Sequence, residues 1–262
     1  MNMSNVVSRT FLFLIIVSVL SSCNVKKNGV VAHRGAWKKN NLPENSIASL
    51  RHAIDLKAVG SEFDVVMTAD DSLVINHDPQ YNKLIIEETK YADLIKFKLS
   101  NGEKLPTLYE YIVEGKKNNK HTILVCEIKP SGISTERGKE IALKAVETVK
   151  KLKAEKIICY ISFDYEILKQ IRKVDSKTIL QYLEGNKSPQ EVKLDNISGI
   201  DYHYSVFKKH PEWIKEAKDN HIILNTWTVN DSTDMDWIIE NNFDYITTNE
   251  PELLDQRIKE KK

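Results

Sequence analysis

The chain has 262 residues, of which 41% are hydrophobic and 8% aromatic, with 38 Lys and Arg against 37 Asp and Glu. That globular composition excludes a wholly disordered or collagen-like chain, and the charge balance excludes a nucleic-acid binder that works by bulk positive charge. Nine Gly and seven Pro, without a repeating period or a low-complexity block, exclude a linker-rich repeat array.

Residues 1–22 read as an export signal. Arg9 is their one charged side chain, and it precedes the apolar run from Phe11 to Leu20. Such a run is too short to cross a bilayer as a helix, which takes about 20 residues, but it suits the core of a secretory signal. Leu20-Ser21-Ser22-Cys23 follows, with small residues directly before the cysteine. This resembles a bacterial lipobox, which implies that Cys23 becomes the lipid-modified first residue of an exported protein, on the periplasmic face or the cell surface. Its membrane partner would then be reached through a lipid anchor, not a spanning helix. Residues 23–29 read as a short tether, and the length that remains suits one barrel-sized domain or two small ones; the strand pattern of residues 30–262 decides for the first.

From Val30 onward, β-branched apolar runs recur at Val30–Arg34, Glu62–Thr68, Thr122–Lys129, Ile157–Phe163, Thr178–Leu183, Ile197–His203, Ile222–Val229 and Asp244–Thr248. Between them lie patterns of helical period at Glu44–Leu56, Glu136–Lys153, Asp164–Lys173, Pro211–Asp219 and Thr233–Asn241, and Leu253–Lys259 closes the chain. Strands alternating with helices predict parallel βαβ units. Eight such strands predict an α/β fold, a (β/α)₈ TIM barrel, with its active site at the C-terminal strand ends. Residues 69–121 break the rhythm and read as a small insertion after the second barrel strand. It would carry an extra strand at Ser72–Asp78 and helices at Tyr91–Lys98 and Leu108–Lys116. Cys126 and Cys159 fall in two of the strands; they either pair or stay as buried free thiols, and their spacing carries no metal signature.

Charged residues fall two apart at strand ends, so that they share a face. Glu62 and Asp64 form one such pair, Glu127 and Lys129 another. Unpaired charges inside a barrel would cost several kcal/mol each. Three carboxylates at one mouth suggest a hard divalent cation, Ca²⁺ or Mg²⁺; the alternative is a set of salt bridges to Lys129 or Arg34. His33 ends the first strand, before Arg34-Gly35, and His77 ends the extra strand, before Asp78. Histidine is the usual acid or base near neutral pH. Arg34 offers a planar fork for a phosphate, and Lys129 a point charge. Together these groups are suited to cleaving a phosphodiester.

The order of motifs is specific. Val31-Ala32-His33-Arg34-Gly35-Ala36 is followed by Pro43-Glu44-Asn45-Ser46, Glu62-Phe63-Asp64-Val65 and His77-Asp78. Leu105-Pro106-Thr107-Leu108, Glu127-Ile128-Lys129, Ser162-Phe163, Trp227-Thr228-Val229-Asn230 and Thr247-Thr248-Asn249-Glu250-Pro251 complete it. From Val30 to about Pro251 the chain resembles the glycerophosphodiester phosphodiesterase family. The resemblance implies a (β/α)₈ barrel with a small insertion after the second strand. It implies His33 and His77 as acid and base, Glu62, Asp64 and Glu127 as ligands of a divalent metal, and Arg34 and Lys129 as phosphate contacts. Glu44 matches a family glutamate near the site, although it could equally cap the helix that follows Pro43; Asn45 has the same two readings. Trp227 matches an aromatic at the mouth, where it would pack against glycerol, while Ser162 and Phe163 are expected to pack.

The resemblance thus implies hydrolysis of a small glycerophosphodiester to sn-glycerol 3-phosphate and an alcohol, through attack by water or by the neighbouring glycerol hydroxyl. A lysophospholipid or sphingolipid substrate on the same barrel is the second reading, and a silent lipoprotein that only binds head groups a third. Three features depart from the family. Pro79-Gln80-Tyr81-Asn82-Lys83 replaces an Arg-Thr-Thr-like stretch after His77-Asp78, Asn249 replaces the usual Asp after Thr248, and Gly60 stands offset before Glu62. None removes a predicted catalytic position.

Overall fold

The β-branched runs form eight parallel strands in the computed structural model, which describes residues 27–261. The expected signal at 1–22 and Cys23, the expected site of lipidation, lie outside the described residues. The barrel strands are β1 (Gly29–Ala32), β2 (Gly60–Met67), β3 (Ile123–Ile128), β4 (Ile158–Ser162), β5 (Leu180–Tyr182), β6 (Gly199–His203), β7 (Ile223–Trp227) and β8 (Tyr245–Thr248). Each pairs in parallel with the next from β1 to β7, and β8 returns to β1 with Val30 opposite Ile246. Between β7 and β8 the barrel is closed by the Asp244 N–H, which donates to the Leu224 carbonyl at 2.8 Å, and by the Val229 N–H to the Thr247 carbonyl at 2.9 Å. This is the predicted (β/α)₈ barrel.

The helices are α1 (Ile47–Asp55), α2 (Leu108–Lys116), α3 (Thr135–Lys151), α4 (Tyr165–Val174), α5 (Pro189–Leu194), α6 (Tyr204–Lys209), α7 (Glu212–Asp219), α8 (Ser232–Glu240) and α9 (Pro251–Glu260). Between the strands and this outer ring lies the main core, with Phe63, Cys126, Tyr160, Leu180, Tyr202, Leu224 and Ile246 on the outer strand face. The alternate residues Val31, Val125, Cys159, Ile161 and Leu183 fill the lumen. Cys126 and Cys159 therefore face opposite sides of the sheet, and both are free and buried.

Three expectations change. Asn28 and Gly29 belong to the barrel and not to the tether, since the Asn28 N–H donates to the Phe243 carbonyl at 2.7 Å and Gly29 opens β1. Leu108–Lys116 is not part of the insertion. As α2 it packs between α1 and α3 in the outer ring, with Leu108, Tyr111 and Ile112 buried. The inserted segment is thus the stretch before Thr107, the residue that caps α2. It holds a short strand at Leu73–Ile75, antiparallel to β2, a two-stranded ribbon at Gln80–Tyr81 and Leu84–Ile85, and a single helical turn at Tyr91–Leu94. Finally, α5 and α6 are helices that the sequence pattern does not predict. At six residues each they are too short to show a helical period.

Candidate active site

β1 stops at Ala32, and the chain then turns sharply. Arg34 and Gly35 both take left-handed backbone angles, φ 56° and 80°. For arginine this costs roughly 1–2 kcal/mol. A Cβ on Gly35 would also lie 2.7 Å from the Ser49 backbone carbon, so the second position of the turn admits only glycine. The turn aims the Arg34 N–H at Glu62 Oε2, 2.8 Å away.

Glu62 and Asp64 project from β2 into the lumen and Glu127 from β3, with Asp64 opposite Glu127 in the sheet. One oxygen from each lies within 4.8 Å of the others, and all three residues are buried. Asn45, itself left-handed at φ 57°, clasps Asp64: its Nδ2 donates to Asp64 Oδ2 at 2.8 Å, and its Oδ1 accepts from the Asp64 N–H at 3.2 Å. Lys129 reaches Glu127 Oε1 at 2.8 Å and Asp64 Oδ1 at 3.3 Å, while Arg34 Nε is 3.7 Å from Asp64 Oδ2.

Three acids share two cations, and their protonation shows the imbalance. Burial, with Asp64 and Glu127 beside it, pushes Glu62 well above the usual carboxylate range. Burial and Asp64 push Glu127 to about 7. Burial also works against ionised Asp64, but Lys129, His77, Asn45 and Arg34 outweigh it and hold Asp64 low. Among the described residues Glu62 Oε1 has no hydrogen-bond partner. A divalent cation would relieve both the repulsion and the orphaned oxygen, and an all-oxygen donor set suits Ca²⁺ or Mg²⁺.

This repulsion predicts a pH signature in the metal-free protein. Glu127 titrates near 7 when folded and near the ordinary 4.5 when unfolded. Between those values the folded state holds the extra proton, so stability falls as pH rises. Glu127→Gln removes that loss. In excess chelator, its stability relative to the parent rises from pH 4.5 to 7, as read from urea midpoints at each pH.

His33 Nδ1 lies 2.7 Å from Asn249 Oδ1, the acceptor that fixes its tautomer, so Nε2 faces Glu62 Oε2 at 3.8 Å without its own proton. Burial, then the Arg34 charge, lowers His33 to about 4, leaving a neutral imidazole at neutral pH. The Leu73–Ile75 strand folds back along β2 and brings His77 to the same pocket. There His77 Nδ1 meets Asp78 Oδ1 at 2.8 Å. Asn76 locks the turn by donating to the Asp78 and Gln80 carbonyls.

His33, Arg34, Glu62, His77, Glu127, Lys129 and Trp227 all line one open pocket at the C-terminal strand ends. Asp64 sits just behind it, held by Lys129 and Arg34. Glu44 does not line the pocket; it pairs with Arg34 Nη1 at 2.5 Å and orients the guanidinium. Nor does it cap α1, whose cap is Ser46, bonded to the Ser49 N–H. The Trp227 ring is held edge-on by Phe163 at 5.5 Å and by His203 at 5.3 Å. With Ile161 and Leu183 it forms an apolar wall, so Phe163 packs as expected, but at the pocket itself.

Sequence reasoning misses Asp201 and Thr247. Both are buried on the pocket floor, and Asp201 Oδ1 and Thr247 Oγ1 lack hydrogen-bond partners among the described residues. Burial, then Glu127, raises Asp201 well above the carboxylate range. The period-two alternation of β6, which places Asp201 and His203 on one face, is the signal that could have found the first. The backbone carbonyl of Asp201 accepts from the Trp227 indole N–H at 2.8 Å.

Residues 33–253 match the model of the glycerophosphoryl diester phosphodiesterase family. A glycerophosphodiester phosphodiesterase of Caldanaerobacter subterraneus subsp. tengcongensis is 34% identical over 242 residues, which cover 87% of this chain and 96% of that protein. Among solved structures, a glycerophosphodiester phosphodiesterase from Parabacteroides distasonis superposes with a TM-score of 0.87 at 40% identity, covering 90% of this chain and 98% of the other. A phosphodiesterase from Oleispira antarctica, solved in complex with the product sn-glycerol-3-phosphate, shares the fold with a TM-score of 0.74 at 22% identity, over 89% of this chain and 97% of its own.

Proposed function

The chain belongs to the glycerophosphoryl diester phosphodiesterase family, whose members hydrolyse glycerophosphodiesters, and from that premise we propose a metal-dependent enzyme that releases sn-glycerol 3-phosphate with His33 and His77 as acid and base. The observation that carries this reading is the single pocket in which both histidines meet Arg34, Lys129 and the buried acid cluster.

Glu62, Asp64 and Glu127 would hold the divalent ion, Ca²⁺ or Mg²⁺. The ion would screen phosphate charge and polarise the phosphorus–oxygen bonds. Lys129 and Arg34 face the same place. Arg34 Nε is turned to Asp64 Oδ2 and Glu44 holds Nη1, so the guanidinium is fixed at the pocket wall, where its remaining donors would meet a phosphate oxygen. One histidine takes the proton of the attacking oxygen, which belongs to water or to the neighbouring glycerol hydroxyl. The other protonates the leaving alcohol. Neutral His33, with Nε2 bare, is a proton acceptor in the resting state. The Trp227 face suits the carbon skeleton of glycerol, and Asp201 and Thr247 below offer polar atoms to its hydroxyls. The product seen in the Oleispira antarctica phosphodiesterase is of the same chemistry.

The reaction is tested by product identity. Glycerophosphocholine is expected to yield glycerol 3-phosphate and choline. Phosphocholine and glycerol as products would place the scissile bond on the wrong side of phosphorus. A lysophospholipid or sphingolipid is the second reading, and the wall of Ile161, Phe163, Leu183 and Trp227 is what favours it. Four side chains give an acyl chain little to bind, so the soluble diester ranks first.

The anchor belongs to the same proposal. Arg9, the apolar run and Leu20-Ser21-Ser22-Cys23 support an exported lipoprotein. Cys23→Ser is then expected to move the protein from the membrane fraction to the soluble fraction of expressing cells.

A further inference from the structure

In a parallel barrel every loop from a helix to the next strand lies at the end opposite the catalytic mouth. The chain enters at that end, where Lys27 pairs with Asp244. The loops leading into β2, β3, β4 and β5 are neighbours around the rim, and they carry exposed Lys57, Lys117, Lys120, Lys153, Lys156 and Lys177. Against these stand exposed Glu155 and half-buried Asp175. The loops into β6, β7 and β8 hold no lysine, and they carry Asp195 and Asp244. A nearly neutral chain has therefore gathered positive charge on one arc of one end.

Local structure accounts for Lys117, which ends α2 and pairs with Glu114, but not for the other five. Lys57 and Lys153 occupy the left-handed position just past α1 and α3, with φ of 56° and 50°, where glycine is the usual choice. Lys120 and Lys177 lie beyond the helices and answer no helix dipole, and Lys156 sits in a three-residue 3₁₀ turn, Glu155–Ile157, too short to present one. Exposed apolar side chains share the arc: Leu56, Val174 and Ile179 are each about two-fifths exposed (39%, 40% and 42%). An apolar cavity lined by Val59, Ile123, Ile158 and Ile179 opens beside them, with Lys156 and Lys177 also on its lining.

We propose that this arc of the N-terminal rim is a docking surface for an anionic lipid bilayer. Lysines over phosphate head groups, with apolar side chains between them, match an interface of that chemistry. The chain length outside the barrel agrees. From Cys23 to Lys27 a fully extended chain reaches at most about 14 Å, so an anchored protein is held with this end towards the membrane. The mouth lies beyond β2, whose eight residues span about 26 Å. Resting on the proposed reaction, this deepens it: the site opens towards water, and its substrates are dissolved, deacylated diesters, not lipids embedded in the same bilayer.

The barrel closes within residues 27–261, so the chain from Asn24 to Lys262 tests the surface apart from the anchor. A fluorophore is attached through Ile179→Cys on the arc or Ile133→Cys in the loop after β3 at the mouth. Each protein is mixed with vesicles of phosphatidylglycerol and phosphatidylcholine, or of phosphatidylcholine alone, carrying a lipid-borne quencher. We expect sedimentation with the anionic vesicles only, loss of binding in high salt, and quenching at position 179 but not at 133. Each of Lys120→Gln, Lys156→Gln and Lys177→Gln should weaken binding about fivefold. Equal quenching at both positions, stronger quenching at the mouth, or indifference to lipid charge would overturn the proposal. These readouts do not use catalysis, so an inactive enzyme would count against the reaction and leave the surface standing.

Discussion

Glu62→Gln is expected to lower kcat/KM for glycerophosphocholine by about 10³-fold or more, without loss of stability. The substitution keeps the shape of the side chain and removes a charge that is buried at 2% exposure beside Asp64 and Glu127. Deleting a desolvated, repelled carboxylate relieves the folded protein, so the metal-free melting temperature should hold or rise. Catalysis suffers because a carboxamide is a poor ligand for a hard cation. A metal ion contributes several kcal/mol of charge stabilisation, and about 4 kcal/mol corresponds to 10³ in rate. Asp64→Asn should behave alike in rate. It should also lose stability, since Asp64 is the one acid of the three that its neighbours hold in the charged form. Near-parental activity in Glu62→Gln would remove the metal role.

The second large effect concerns the histidines. His33→Ala and His77→Ala should each cost about 10²–10⁴ in kcat with folding intact, the usual range for losing a positioned acid or base. A substrate whose leaving group needs no proton separates the two roles. With a p-nitrophenyl ester of glycerol 3-phosphate, the variant lacking the acid should recover most of its rate, and the variant lacking the base should not. If both variants recover equally, or neither falls, the two-histidine scheme is wrong.

Strand periodicity makes the barrel legible. Residues two apart, such as Glu62 with Asp64 and Glu127 with Lys129, declare their shared face by spacing alone, because strand geometry leaves no other arrangement. The whole set of His33, Arg34, His77 and the three acids meets in one place. What the sequence hides depends on contacts between distant segments. Glu44 resembles a cap because it follows a proline, but the left-handed Asn45 moves the helix start to Ser46 and frees Glu44 for Arg34. Leu108–Lys116 resembles an inserted helix because a long segment precedes it, and only packing between α1 and α3 puts it in the ring. Asp201 lies inside a short buried strand, where only its period-two spacing to His203 marks the face it shares. Asn249 stands out as a departure from the family pattern, but its contact with His33 spans 216 residues of sequence.

The most direct test is glycerol 3-phosphate release by the chain from Asn24 to Lys262. The substrates are glycerophosphocholine and glycerophosphoethanolamine, with Ca²⁺, with Mg²⁺ and with excess chelator. The site predicts steady release with at least one of the two ions, abolished by chelator and restored when the ion is returned. Release that continues undiminished in chelator, or no release with either ion, would contradict a metal-dependent glycerophosphodiester phosphodiesterase.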